Sequence, residues 1–410
     1  MTFQVPVGKQ RDFCLGSDAR VNIAHGAVRS AKTVGANVRW LRAVLEAPAG
    51  VNLLMTGKTL TSLERNVLLP ISRLVGAGDF EYRRSLKVAT IYGRHILCEG
   101  ANDESAYTKI AGLTLGGAYV DEGSLSPESF LNMLVSRLSE PGAQLFLTTN
   151  PGPPAHYLKK RWIDREEELD LKSWHFTLED NPWLDPVYVA ELKRQFGPPS
   201  SLFYQRYVLG LWVMAEGAVY RNFDRDLHVV PSLPDERMEE MRVAVDPGAT
   251  HPSAFLKAVR IGETWYVFGE YRKADKSPAE VSKDLKRFLD GMYPSSIDVD
   301  PAAKAHRLQF IGDGIEGVQQ ADNDVLNGIQ RVISAFNQGW LKLVGPATPM
   351  LQEELEGYRW DPKATERGED APIKEGDDLV DALRYLVNRI SKSRRLTPPT
   401  ARRERGRIRS

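Results

Sequence analysis

Residues 26–33 read Gly-Ala-Val-Arg-Ser-Ala-Lys-Thr, and this octet constrains the fold more than any other stretch of the 410-residue chain. It has the form G-x-x-x-x-[G/A]-K-[ST], which requires a strand, a tight loop and then a helix beginning at the lysine. In that geometry the backbone N–H groups of Gly26, Ala27, Val28, Arg29, Ser30 and Ala31 wrap phosphate oxygens. Lys32 reaches the β and γ oxygens, and the Thr33 hydroxyl holds Mg²⁺. The flanks agree: the apolar run Val21–Ala24 precedes the loop, and Lys32–Leu45 continues with helical spacing. A glycine turn before a helix is the plainer reading, but it leaves the Lys-Thr pair at the correct step unexplained.

A second element completes a triphosphate-hydrolysing site. The apolar run Gly117–Val120 ends at Asp121-Glu122. Asp121 would support Mg²⁺ through Thr33 or a water, and Glu122 would orient and polarise the attacking water. A helix N-terminal charge pair is the bland alternative. Thr148, Thr149 and Asn150 close another strand, Gln144–Thr149. Their hydroxyl and amide groups can bond either phosphate or water, as a γ-phosphate sensor must. Two arginines compete to stabilise the transition state: Arg29 from inside the loop, and Arg137 toward a neighbouring subunit's nucleotide. The implied ligands are ATP and Mg²⁺.

Strands alternating with helices predict an α/β fold, with a mostly parallel sheet in the N-terminal domain. Val51–Met55 is a second strand and Ser62–Leu74 a helix, while Lys87–Glu99 reads as a hairpin turning near Gly93. Residues 159–170 are charged and read as helical. Residues 186–212 read as two helices broken by Gly197-Pro198-Pro199. These features predict an ATPase domain over 1–215, including a helical lid or linker subdomain over about 160–215. An irregular linker follows over 216–240. A second domain with a mixed sheet is expected over 241–392, from strands Arg242–Val245, Ser253–Arg260, Thr264–Tyr271 and Ile297–Val299, and helices Ala279–Asp290 and Glu375–Ile390.

That second half carries a separate set of acids. Asp246 and Asp300 each end a short apolar strand, and Asp377, Asp378 and Asp381 open a helix. Asp378 and Asp381 are three apart and share one helix face. Converging there, such acids could hold two Mg²⁺ or Mn²⁺ ions, one activating water and one stabilising the leaving oxygen of a phosphodiester. Singly they are ordinary turn and cap residues, the reading given to Asp313, Asp322 and Asp324.

The chain's formal net charge is zero, but residues 389–410 hold nine Lys/Arg against one Glu. A basic tail over 393–410 after an acidic body suits DNA or an acidic protein partner, or is a solvated terminus. No apolar run reaches the roughly 18–20 residues that span a bilayer. Two cysteines and no apolar leader fit a reducing cytoplasm.

Taken in order, GAVRSAKT, TGKTLTSLERNVL, AYVDE, LTTNP, AVDPG, VDPAA, ADNDVLNGI, LEGYRWD and DDLVDALRY resemble the large terminase subunit of tailed bacteriophages. The likeness covers nearly the whole chain. It implies a P-loop ATPase joined to a ribonuclease H-like nuclease, which pumps double-stranded DNA through the portal of a procapsid and cuts concatemers. Implied partners are the portal protein, a small terminase subunit and further copies in a five-fold ring, in the host cytoplasm and transiently at the portal vertex. Carried over, the phosphate-loop role falls on Gly26–Thr33, the Mg²⁺-supporting acid is Asp121, the catalytic glutamate is Glu122, and the coupling motif is Thr148–Asn150. The nuclease acids are Asp246, Asp300 and Asp381, and Gln10 matches an adenine-contacting glutamine. Two departures stand out: Ala31 where many relatives have glycine, and Asp378 where histidine is frequent. A helicase-like translocase without cleavage, and a non-catalytic packaging component, are the competing readings.

Overall fold

A computed structural model describes residues 6–76, 78–248 and 251–396. The chain forms two compact units. The first comprises the chain up to Lys193 with Pro198–Ala215 and Pro362–Asp370; the second comprises Arg194–Gly197, Glu216–Asp361 and the chain from Ala371 onward.

The first unit is built on eight strands: β1 (Val21–Gly26), β2 (Asn52–Gly57), β3 (Phe80–Arg83), β4 (Val88–Ile91), β5 (Arg94–Gly100), β6 (Leu115–Val120), β7 (Gln144–Thr149) and β8 (Leu171–Phe176). Their order is β3-β4-β5-β2-β6-β7-β1-β8. From β5 to β8 every pairing is parallel. Parallel strands need crossovers, so helices cover both faces and the strands are apolar throughout. Alternation divides the core. Met55, Tyr119 and Phe146 pack with Trp40 of the helix Lys32–Glu46 on one face, and Leu54, Val120 and Leu147 pack with Phe130, Leu131 and Leu134 on the other. Trp40 is fully buried, and truncating such a side chain costs about 3–5 kcal/mol. β4 and β5 form the expected hairpin, with Tyr92 and Gly93 both at positive φ (50° and 75°), as a type I′ turn requires.

The charged stretch 159–170 is not the expected helix. It holds a short helix, Tyr157–Arg161, one 3₁₀ turn, Ile163–Arg165, and then turns. The residues that follow, Leu-Lys-Ser-Trp-His-Phe, pair with β1 as the sheet edge; charged composition masked a strand. Residues 186–212 carry the helices Pro186–Phe196 and Leu202–Tyr207. Residues 362–370, late in the sequence, also belong to this unit, where Asp370 forms a buried ion pair with Arg206.

The second unit has β9 (Val229–Val230), β10 (Glu240–Asp246), β11 (Ser253–Ile261), β12 (Thr264–Lys273), β13 (Ser296–Val299), β14 (Val318–Gln320) and β15 (Leu341–Val344), in the order β14-β13-β10-β11-β12-β15-β9. β10–β11–β12 is an antiparallel meander, and β13 and β14 extend it in parallel on the β10 side. This is the ribonuclease H-like arrangement of a mixed sheet. The helix Pro278–Leu289 starts at a Ser277/Glu280 capping box with proline at its first position. It buries Val281 and Leu285 against Val243, Val245 and Phe255. The helix Asp378–Leu396 packs over β10 and β11.

That last helix carries basic residues into packed contacts, and its last four residues, 393–396, overlap the expected tail. Arg389 pairs with buried Asp298 at 2.6 Å, Lys392 with Asp322 at 2.9 Å, and Arg394 stacks over Trp340. Residues 397–410 lie outside the described residues. Among the described residues no helix is long and apolar enough to cross a membrane.

Candidate active sites

Parallel strands bring their C-terminal ends to one edge, and there the first site assembles. β7 lies between β1 and β6, so Thr148–Asn150 sit between the loop lysine and the two acids. Gly26 ends β1 at φ 136°, and a Cβ there would stand 2.0 Å from the Phe176 carbonyl oxygen; only glycine fits. The Ala27 N–H donates to that oxygen at 2.7 Å. Arg29 and Ala31 adopt left-handed backbone, φ 59° and 63°. The frequent glycine at position 31 therefore answers a backbone demand as well as a steric one. The Gln10 amide donates to the Ser30 carbonyl at 2.9 Å and the Asp180 carbonyl at 2.6 Å, and the Asn181 amide to the Arg29 carbonyl at 2.7 Å. The loop is thus clamped from outside.

Inside it, Lys32 is 5% exposed and donates to the Ala27 carbonyl at 3.0 Å and to Asn150 Oδ1 at 2.6 Å. Asn150 Nδ2 donates in turn to Glu122 Oε1 at 2.9 Å, and its backbone N–H to Oε2 at 3.2 Å. One amide side chain therefore bridges the loop lysine and the second acid. Asp121 accepts from Thr148 Oγ1 at 3.0 Å and from Asn66 Nδ2 at 3.2 Å. Thr149 accepts the Ser124 N–H at 3.1 Å and so fixes the turn after the acids. Burial raises the pKa of both Asp121 and Glu122 and lowers that of Lys32. Two desolvated carboxylates face one desolvated ammonium, a balance that favours an added cation. Among the described residues the buried Gln10 Oε1 and Ser30 Oγ have no hydrogen-bond partner. Spare donors and acceptors beside a positive-φ loop fit a nucleotide and its Mg²⁺.

Val28 and Thr33 are half-buried on the loop and first helical turn, and Arg29 is exposed at the loop tip. Arg137 ends the helix Glu128–Arg137 and donates from Nη1 to the Ala111 carbonyl at 2.8 Å. Nothing in the sequence pattern marked Asn66, a polar residue within a helical run.

The second site lies in the second unit, in a cavity of about 480 Å³. β10 and β13 are parallel neighbours with Val245 opposite Val299, so Asp246 and Asp300 leave adjacent strand ends together. The Asp300 N–H bonds the Val245 carbonyl at 3.2 Å. The N-terminus of the helix Asp378–Leu396 supplies Asp378 and Asp381, and all four acids line the cavity with Asp377. The two helix acids are held differently. Asp378 accepts from Arg272 Nε at 3.0 Å and contacts His251 Nδ1 at 3.2 Å. Asp381 is gripped by Arg384, itself 1% exposed, at 2.5 Å and by Lys374 at 3.2 Å. One oxygen of Asp246, one of Asp378 and one ring nitrogen of His251 lie within 4.8 Å of one another. Burial, then the Asp381 and Asp300 carboxylates, push the Asp246 carboxyl up to about 7. A buried acid crowded by other carboxylates is what a divalent cation relieves, and oxygen donors suit Mg²⁺ or Mn²⁺. Asp313 accepts from Ser282 at 2.6 Å, Asp322 pairs with Lys392, and Asp324 caps a helix through the Asn327 N–H at 3.1 Å.

Sequence reasoning passed over His251, Arg272 and Arg384. The Pro-Gly turn after Asp246 was a signal for a fold-back, and Arg384 stands three residues after Asp381, the spacing of a helical ion pair.

The chain is similar to known proteins along most of its length. The sequence model of the family described as phage terminase large subunit matches residues 20–197. The large terminase subunit of Escherichia phage T5 is 26% identical over 295 residues, 67% of this chain and 65% of that protein; the match thus spans just under two thirds of that relative's length. The structure of the large terminase from a thermophilic bacteriophage in complex with ADP superposes with a TM-score of 0.86 at 33% identity, covering 93% of this chain and 99% of that one. The same thermophilic phage protein in complex with ATP-γ-S gives 0.84 at 32% identity, covering 93% and 98%.

Proposed function

This chain belongs to the phage terminase large subunit family, and from that membership we propose that it is the motor and the nuclease of viral genome packaging. ATP hydrolysis in the first unit drives double-stranded DNA through a portal into a procapsid, and a two-metal site in the second unit cuts concatemeric DNA. The observation that carries this reading is the presence, in separate units, of two strand-end sites that each want a cation.

At the first site a bound nucleotide would supply the γ-phosphoryl group, and its Mg²⁺ would supply neutralisation of developing charge. Loop N–H groups cradle the phosphates. Lys32 would leave Asn150 for the β and γ oxygens, and Thr33 and Asp121 would hold the cation. Glu122, freed from the same amide, orients the attacking water. Arg29 approaches the phosphates in cis, and Arg137 serves a neighbour in the ring. The nucleotide complexes of the thermophilic phage relative support ATP as the fuel. At the second site Asp246, Asp300 and Asp378 would hold the divalent ions, which would supply an activated water and charge stabilisation at the leaving oxygen. Asp381, tied to Arg384, positions the helix and joins the ligand set if Lys374 withdraws. Portal, small subunit and a five-fold ring complete the machine in the host cytoplasm.

The test is DNA packaging by purified protein with procapsids and ATP, read as DNA protected from an added nuclease. Wild type protects DNA, and Glu122→Gln lowers hydrolysis about 10²–10⁴-fold and protects none. Protection by Glu122→Gln equal to wild type refutes the motor.

A further inference from the structure

The second site holds one side chain that its aspartate pattern does not assign. His251 follows Asp246 by five residues in the loop that leaves β10. Gly248 lies close against His251: a Cβ there would stand 1.9 Å from the His251 carbonyl oxygen and 2.7 Å from its Nδ1. The Gly248 N–H also donates to Ser253 Oγ at 3.2 Å, closing the loop against the start of β11. The His251 imidazole thus lies close to the residues that end β10.

A half-exposed histidine beside a carboxylate is usually an ordinary pair. Two observations go further. Asp378 already has a permanent cation, since Arg272 Nε holds its Oδ2 at 3.0 Å; His251 faces the other oxygen, Oδ1, at 3.2 Å. The third member, Asp246, comes from a different element. It accepts from the Tyr385 hydroxyl at 3.4 Å and pairs with no lysine or arginine among the described residues. Two carboxylates and an imidazole from three places in the sequence thus meet within 4.8 Å. Opposite ligands of an ion bound at about 2.1 Å stand roughly 4.2 Å apart, so small side-chain movements close the set.

We propose that His251 supplies a nitrogen ligand to the nuclease cation, alongside Asp246 and Asp378. The proposal rests on reading the second site as a metal nuclease. Its consequence is a preference among ions. Oxygen donors suit both Mg²⁺ and Mn²⁺, but imidazole is a ligand for transition ions, and Mn²⁺ gains more from one nitrogen than Mg²⁺ does. His251 therefore biases the site toward the transition ion without excluding Mg²⁺.

The experiment is Mn²⁺ titration of the full chain without nucleotide, counting free ion by its paramagnetic resonance signal, followed by competition with Mg²⁺. His251→Ala lowers Mn²⁺ affinity at least tenfold and Mg²⁺ affinity less than threefold. Asp246→Asn removes binding of both ions at this site. The His251 side chain is 56% exposed, so its loss spares the core. His251→Gln, which keeps bulk and polarity, repeats the alanine result, and circular dichroism checks both variants. Wild-type affinities in the two His251 variants, or an equal loss for both ions, overturn the histidine assignment while leaving the metal site standing. Wild-type binding by Asp246→Asn instead removes the metal site itself.

Discussion

Ala31 shows how single residues set the terms at the first site. Its left-handed backbone costs an alanine about 1–2 kcal/mol, yet glycine would enlarge the unfolded ensemble by about 0.4–1 kcal/mol. The first exceeds the second by up to about 1.6 kcal/mol, so Ala31→Gly should raise the melting temperature by up to about 6 °C while leaving ATPase activity intact; calorimetry with a rate assay checks both. Asn150 holds Lys32 and Glu122 at once. Asn150→Ala should reduce kcat at least tenfold with a nucleotide Kd no weaker than wild type, because the lysine no longer has to leave a partner. A weaker Kd with normal kcat would contradict that role. At the second site Asp246 is an acid whose folded pKa is raised, to about 7. Ionising it opposes folding, and the penalty grows as pH climbs from about 4, the ordinary carboxyl range, through 7. Metal-free wild type should therefore lose stability across that window. At pH 8 Asp246→Asn should melt higher than wild type by a few degrees, and saturating Mn²⁺ should reverse the ranking. A metal-free wild type that melts above the variant at pH 8 would refute this. Asp381 requires a different caution: it neutralises Arg384, which is 1% exposed. Removing it strands a buried charge, at about 3–5 kcal/mol.

Elements explain which parts could be read in advance. Strands ending at Gly26, Asp121, Thr149, Asp246 and Asp300 were legible because parallel, doubly buried strands are continuous apolar runs punctuated by chemistry. The hairpin turn at Tyr92-Gly93 was legible from one glycine. β8 was not, because its Lys, Ser and His residues break the apolar run and a charged stretch precedes it. Contacts made across long sequence separations were equally silent. Asn66 reaches Asp121, and Arg272 reaches Asp378, with no local pattern to announce either. The start of the helix Asp378–Leu396 illustrates the same limit. Its Leu379 and Val380 N–H groups are capped by Glu354 Oε2, at 2.9 and 3.1 Å, from another helix. Glu354→Ala should cost about 1–2 kcal/mol as a lost cap, seen as a lower unfolding midpoint and weaker Mn²⁺ binding. Glu354→Gln keeps an accepting oxygen and should cost less. Equal midpoints for wild type and Glu354→Ala would show that the cap is idle.

For the whole molecule, the sequence boundaries of its two units matter most. The first unit takes Pro362–Asp370 from far along the chain, and Asp370 there neutralises buried Arg206. A fragment of residues 1–215 therefore lacks that partner and should unfold more easily than the same unit in the full chain; Arg206→Met should recover part of the loss. The proposed function requires two cation-dependent chemistries in separate pockets of one chain. The most direct measurement is to assay ATP hydrolysis and plasmid cleavage side by side in Lys32→Ala and Asp246→Asn. Lys32→Ala should lose hydrolysis and keep Mn²⁺-dependent cleavage, while Asp246→Asn should do the reverse. Loss of both activities in either folded variant, or cleavage by Asp246→Asn at the wild-type rate, would contradict it.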